Sequence, residues 1–327
     1  MSNMDTPLIP NYPRKQIWAV GGGKGGTGKT VVSASIGILL AKAGNRVIII
    51  DADLGGANLH TCLGIRHPST TIADFLLKKV TSLDELLLET PIKNLRLISG
   101  ANDFLTIANI PFAQKQKLIR YIRNLNSDYV ILDLGAGTSF NVLDLFLISD
   151  SNILVVMPEP TSVENAYRFI KCAILRRLNN ALNNSKFQDI FRLATEARGN
   201  ESVKTLYDLL ERVKHIDSSV AVDLEKKINT FSPKLIVNQV RENDNISLGS
   251  SIKDITKKYL GVELDYSGYI PYDEKVSESI KRFKPLVTEY PNCSASLCMN
   301  LTMKRLLDGS KLSGGQEEVE ENRNEEA

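Results

Sequence analysis

Cysteine is scarce in this chain of 327 residues, and the four present, Cys62, Cys172, Cys293 and Cys298, form no paired pattern. Cys293 and Cys298 are separated by four residues, so the C-x-x-C spacing of redox and zinc sites is missing. This argues against a disulfide-held secreted scaffold and makes a reducing cytoplasm the expected setting. The three histidines, His60, His67 and His215, are scattered and stand in no nucleophile–base arrangement. No apolar run approaches the roughly 20 residues that cross a bilayer, and Met1–Gln16 lacks the apolar centre of a signal peptide. A soluble, cytoplasmic protein is therefore expected. A strong charge of either sign is also lacking, with a net charge of +2. That balance hides an asymmetry: residues 311–327 hold six glutamates against Lys311 and Arg323, a net −4, which leaves +6 on the rest. So modest a basic excess fits a solvated surface at least as well as a binding face.

What is present, 43% hydrophobic and 24% charged residues, is ordinary for a globular protein. The length suits one large domain or a domain with an insertion. Residues 1–15, with Pro7, Pro10 and Pro13, read as a flexible arm. Short apolar, often β-branched runs then recur: Gln16–Val20, Arg46–Ile50, Leu95–Ile98, Tyr129–Leu132, Ile153–Met157, Leu235–Val237 and Tyr266–Ile270. Continuous runs of this kind mark strands covered on both faces. Helical spacing fills most of the gaps, as in Thr30–Ala43 (stopped by Gly44), Gln114–Leu125 and Val163–Leu178. The alternation predicts an α/β fold, a mostly parallel sheet with helices on both faces. Residues 178–230 break the rhythm with helical patterns alone and read as a helical insertion in a domain spanning 16–308. Beyond it, 309–327 reads as an acidic disordered tail.

The most informative stretch is Gly22-Gly23-Lys24-Gly25-Gly26-Thr27-Gly28-Lys29-Thr30. It contains G-x-x-x-x-G-K-T directly after a strand and directly before a helix, the context a phosphate-binding loop requires. Glycines let successive backbone N–H groups turn inward on phosphate oxygens, and the helix adds its positive end. Gly23, Lys24, Gly25, Gly26, Thr27, Gly28, Lys29 and Thr30 are thus candidate nucleotide-binding residues. Lys29 would meet the β- and γ-phosphates, and the Thr30 hydroxyl suits magnesium. Gly21, Gly23 and Gly26 also satisfy G-x-G-x-x-G, but a dinucleotide site has no use for the Lys-Thr pair. Lys24, a second cation in the loop, is long enough to reach phosphate across a dimer interface.

Two acidic segments follow strand ends: Asp51-Ala52-Asp53-Leu54-Gly55-Gly56-Ala57-Asn58 and Asp133-Leu134-Gly135-Ala136-Gly137-Thr138. Ligands bind α/β sheets at this edge. Asp133 suits a water-mediated grip on magnesium, and Asp53 suits orientation of the attacking water. Asp51 suits either the magnesium shell or holding its own loop.

Together, Lys24–Thr30, Asp51–Asn58, Asp133–Gly137, Pro158–Ser162, Ile236-Val237-Asn238 and Ile270-Pro271-Tyr272-Asp273 resemble the MinD/ParA family of deviant-Walker P-loop ATPases. The nearest resemblance is to the MinD-like subgroup that includes FlhG/FleN, which controls flagellar number and position. The resemblance implies ATP and Mg2+ as ligands, ATP hydrolysis, and a homodimer that forms on ATP binding. In that dimer Lys24 would contact the partner's nucleotide and join Lys29 and Asp53 in catalysis. Asn238, helped by backbone near Pro271, would read the adenine edge, and Thr30, Asp51 and Asp133 would serve the metal. It further implies an unidentified protein partner and, at most, peripheral recruitment to the inner face of the plasma membrane or a cell pole.

Departures are visible too. A basic membrane helix is missing at the C-terminal end, where Ser294–Leu307 reads as a packing helix followed by acidic chain. Residues 1–15 carry no D-Q-A-x-x-L motif, and Thr27 stands where the family usually has Val. Two alternatives use the same loop. A ParA-like DNA partitioning ATPase would need the basic residues Arg168, Lys171, Arg176 and Arg177 on one face. A metal-cluster carrier of the Mrp type would need interface cysteines that the segment after Asp133 lacks. Nucleic acid is not an expected partner.

Overall fold

Side chains alternate across a strand, and the apolar runs sort accordingly onto two cores. In β1 (Gln16–Gly21) Ile17 and Ala19 join one hydrophobic cluster, Trp18 and Val20 the other. In β2 (Val47–Ala52) Ile48 and Ile50 face the first, Val47 and Ile49 the second. The computed structural model describes residues 15–53, 55–100, 111–180, 206–245 and 247–308. The expected arm (all but Lys15), the tail, and residues 181–205 of the expected insertion lie outside them.

Among the described residues eight strands make one sheet in the order β3-β4-β2-β5-β1-β6-β7-β8. The remaining strands are β3 (Leu88–Glu89), β4 (Leu95–Ile98), β5 (Tyr129–Leu134), β6 (Ser151–Val156), β7 (Lys234–Val240) and β8 (Asp265–Pro271). Every pairing is parallel except β3 with β4. Two-residue β3 is too short to leave a periodic pattern and was not anticipated. After β1 the chain crosses to β2 on one side, while β6, β7 and β8 build out on the other, so β1 lies at the reversal point where α/β sheets open a crevice.

The helices are α1 (Lys29–Lys42), α2 (Leu59–Cys62), α3 (Ile72–Leu76), α4 (Phe112–Asn124), α5 (Phe140–Leu147), α6 (Pro160–Asn180), α7 (Leu206–Ile216), α8 (Ser218–Asn229), α9 (Leu248–Leu260), α10 (Glu274–Lys281), α11 (Leu286–Glu289) and α12 (Ser294–Asp308). Helix α1 is buried around most of its girth because it lies between the sheet and α12. It stops at Gly44, whose φ of 94° is the left-handed turn that ends helices. Helix α12 packs on β8 and α1, as the last helix of the fold.

Helices α7 and α8 contain no strand, and they are not a separate body. Leu209, Val213, Leu224 and Ile228 enter the same cluster as Ile17 and Ile48. Of the basic residues considered for DNA, Arg176 and Arg177 are drawn into contacts within the chain. Arg176 turns inward and grips Asp144 through Nε and Nη2 at 2.8 and 2.9 Å, and Lys115 Nζ reaches the same carboxylate at 2.5 Å. Arg177 stacks on Phe231 and donates to Thr230, and Arg168 pairs with Glu164. The reason is electrostatic: a carboxylate as buried as Asp144 demands cations, and they come from α4 and α6. Burial works to raise the Asp144 pKa, but hydrogen bonds and charge from Arg176 and Lys115 outweigh it and hold the group below the ordinary range.

Candidate functional site

The loop after β1 curls back on itself and delivers Gly28, at φ 85°, as the residue before α1. A Cβ there would lie 2.2 Å from Asn238 Nδ2, so glycine is required twice, for conformation and for space. A Cβ at Gly25 or Gly26 would meet nothing within 4 Å; the loop overhangs an open hollow. Lys29, Thr30, Gly25, Gly26, Gly28, Asp53, Asn238 and Pro271 line that hollow, a cavity of about 590 Å³. This is the size of a small-molecule site. Leu134, Ile270, Tyr272, Val276 and Met299 give it an apolar end.

Lys29 is buried, and its Nζ donates to Lys24 O at 3.3 Å. Burial lowers its pKa, and the nearby Asp133 and Asp53 act to raise it. The cation is thus held in low dielectric without a carboxylate at contact distance among the described residues, ready for an anion.

Asp51 and Asp133 are register partners on adjacent strands β2 and β5, which sets two carboxylates side by side beneath the loop. Asp133 is fully buried; Ser33 Oγ lies 2.8 Å from its Oδ1 and 2.9 Å from Lys29 O, its single proton serving one at a time. Burial pushes the Asp133 pKa up to about 6, against the hydrogen bonds and the Lys29 charge. Asp51 is pushed to about 8 by burial and then by Asp133. Its two oxygens accept from Asp53 N at 3.1 Å and Leu59 N at 3.0 Å. Of its two expected uses, holding the loop is the one this geometry serves. Asp53 stands at the cavity wall; a Cβ on Gly135 would be 3.1 Å from its Oδ1, so the two acidic segments touch.

Lys24 does not line the cavity. Its Nζ turns to the outer side of the loop, to Glu159 Oε2 at 2.5 Å and Thr161 Oγ1 at 3.0 Å. Thr27 lies beneath the loop, 1% exposed, with Oγ1 lacking a hydrogen-bond partner among the described residues. Asn238 Nδ2 donates to Thr27 O at 2.8 Å. That spends one of the two amide hydrogens on the loop and leaves Oδ1 as an acceptor at the cavity wall. No local pattern singles out Ser33 or Gln239. Glu159 and Thr161 belonged to a recognised motif, yet nothing in it announced their bond to Lys24. Cys62 sits near this centre; burial, then Asp133 and Asp51, push its thiol to about 12, keeping it neutral.

The CobQ/CobB/MinD/ParA nucleotide binding domain model matches residues 18–286. The antiactivator FleN of Pseudomonas aeruginosa is 27% identical over 293 residues, covering 89% of this chain and 86% of its own. The septum site-determining protein MinD of Synechocystis sp. is 33% identical over 156 residues, 47% of this chain and 58% of its own. Among solved structures, MinD of Pyrococcus horikoshii complexed with Mg-ADP shares the fold with a TM-score of 0.61 at 20% identity, over 92% of this chain and 98% of its own.

Proposed function

The chain belongs to the CobQ/CobB/MinD/ParA nucleotide-binding family, and from that premise we propose that it binds ATP with Mg2+ in the cavity above Lys29, hydrolyses it, and uses the nucleotide state to switch a homodimer. The observation that carries this reading is the convergence of Lys29, Asp53 and Asn238 on one cavity of about 590 Å³ at the start of α1.

The residues present fit such a ligand. The hollow over Gly25 and Gly26 is free for phosphate oxygens, and the buried Lys29 amine lacks a contacting carboxylate among the described residues. Thr30, Asp133 and Asp53 are hard oxygen donors of the kind magnesium selects. When bound, Mg·ATP supplies an activated γ-phosphoryl group. Lys29 would neutralise phosphate charge; Thr30 and Asp133 would hold the metal; Asp53 would orient the attacking water from the cavity wall; Gly23 to Thr27 shape the loop. Asp51 supports this group by fixing the Asp53 segment rather than by touching the metal. The half-exposed Lys24 completes the site of a second copy.

The cellular role follows the similarity to FleN: a cytoplasmic regulator of flagellar number or placement, or of division-site type. It acts through a protein partner and meets the membrane at most peripherally. No described helix is long and apolar enough to cross a membrane. Burial of Arg176 against Asp144 weakens the competing DNA-partitioning reading.

Binding of fluorescent ADP in the presence of magnesium, followed by sedimentation with non-hydrolysable ATP, tests the proposal. Wild type is expected to bind and dimerise, Lys29→Ala to lose binding, and Lys24→Ala to bind yet stay monomeric. Wild-type protein that does not retain nucleotide would overturn it.

A further inference from the structure

Neighbouring residues of a strand point to opposite faces, yet Asn238 and Gln239 both reach the phosphate loop. Asn238 Nδ2 donates to Thr27 O at 2.8 Å, and Gln239 Nε2 donates to Gly26 O at 2.9 Å. The cause is a break in the β7–β8 pairing: the register shifts between Asn238 and Val240, which makes Gln239 the extra residue of a bulge. Gln239 also adopts φ 61°, a left-handed conformation disfavoured for a residue with a side chain. Such strain persists where the surroundings over-determine it, and it concentrates at working sites.

We propose that Gln239 is a positioning residue for phosphate binding, forming with Asn238 a two-amide clamp on the back of the loop. This rests on the nucleotide reading of the loop given above. In a planar trans peptide the C=O and the following N–H point in opposite directions. Holding Gly26 O and Thr27 O from the β7 side therefore aims the N–H groups of Thr27 and Gly28 away from β7. The loop is pinned by its acceptors so that its donors stay preorganised for an anion. The clamp is packed tightly: a Cβ on Gly28 would lie 2.2 Å from Asn238 Nδ2 and 3.6 Å from Gln239 Nε2. Gln239 is half-buried and lines the cavity beside Asn238, but its amide nitrogen is given to Gly26 O, so this hydrogen bond acts through the loop.

Two variants of the full chain separate the clamp from the strain. Gln239→Gly relieves the left-handed backbone and removes the amide. Gln239→Glu keeps the length but sets a carboxylate against the Gly26 carbonyl. Without nucleotide, Gln239→Gly is expected to melt at or above the wild-type temperature. Both variants are expected to bind Mg·ADP at least about fivefold more weakly, the equivalent of one net hydrogen bond of about 1 kcal/mol. Affinity for adenosine, read by ligand-observed NMR, is expected to hold because the clamp serves the phosphates. Gln239 variants that bind Mg·ADP as wild type does, or that lose adenosine in parallel, overturn the clamp alone. Wild-type protein that binds neither ligand overturns the nucleotide reading and the clamp with it.

Discussion

Lys24 Nζ lies 2.5 Å from Glu159 Oε2 of its own chain, with Thr161 Oγ1 at 3.0 Å. The side chains are 31% and 51% exposed, and ion pairs this wet are worth no more than about 1 kcal/mol. The lysine proposed to reach a second subunit's nucleotide must first leave this carboxylate, and little holds it back. Glu159→Gln is therefore expected to lower the protein concentration at which non-hydrolysable ATP drives dimerisation, by up to about fivefold. Sedimentation velocity measures this. An unchanged or raised threshold would show that the pair does not compete with dimerisation.

Thr27 carries a second expectation. Its hydroxyl is buried and unpartnered among the described residues, a situation that costs about 1–3 kcal/mol. Thr27→Val keeps the shape and removes the orphan group. The melting temperature is expected to rise by at least about 1.5 °C, the response to about 1 kcal/mol in a domain of roughly 300 residues. A fall would mean that the hydroxyl is satisfied in solution.

The paired carboxylates give a pH dependence with a defined sign. Asp51 has a folded pKa of about 8 against an ordinary 3.8, so the folded chain keeps a proton that the unfolded chain releases. Its contribution to stability is complete below about pH 4 and is lost as the pH rises towards about 8. Asp133, raised to about 6, acts in the same direction over a narrower window. The melting temperature of nucleotide-free and magnesium-free protein should fall between about pH 5 and about pH 8. Asp51→Asn should flatten the slope. A slope identical in wild type and variant would show that Asp51 is not the group responsible.

Asp144 should be the most sensitive of the buried charges. It pairs with Lys115 and Arg176, whose side chains are 5% and 18% exposed. Asp144→Asn leaves both cations facing each other without a counter-charge, at a cost of about 3–5 kcal/mol. Lys115→Met leaves a bidentate Arg176–Asp144 pair and should cost clearly less. Urea unfolding of the two variants is the comparison, and equal losses would deny Asp144 its central place.

Much of the fold is legible in the chain because its signals are local. Apolar runs such as Ile48–Ile50 mark buried strands, Gly44 marks a helix end, and the spacing from Gly23 to Thr30 marks the phosphate loop without reference to anything distant. Seven of the eight described strands begin or end within a few residues of those runs; β3 escaped because two residues carry no period. The strand-end positions of Asp53, Asp133 and Asn238 also put them on the ligand edge of a parallel sheet.

The sequence by itself determined the architecture and the presence of a phosphate loop, since periodicity and chain adjacency suffice for both. Only the tertiary structure decided how side chains far apart in the chain meet. Parallel register between β2 and β5 places Asp51 beside Asp133. A bulge in β7 turns Gln239 onto the loop against the strand's own alternation. Packing brings Glu159 to Lys24 across 135 residues and draws Arg176 inward to Asp144. Each of these depends on strand register or on the energetic demand of a buried charge, and neither can be read within a local window of sequence.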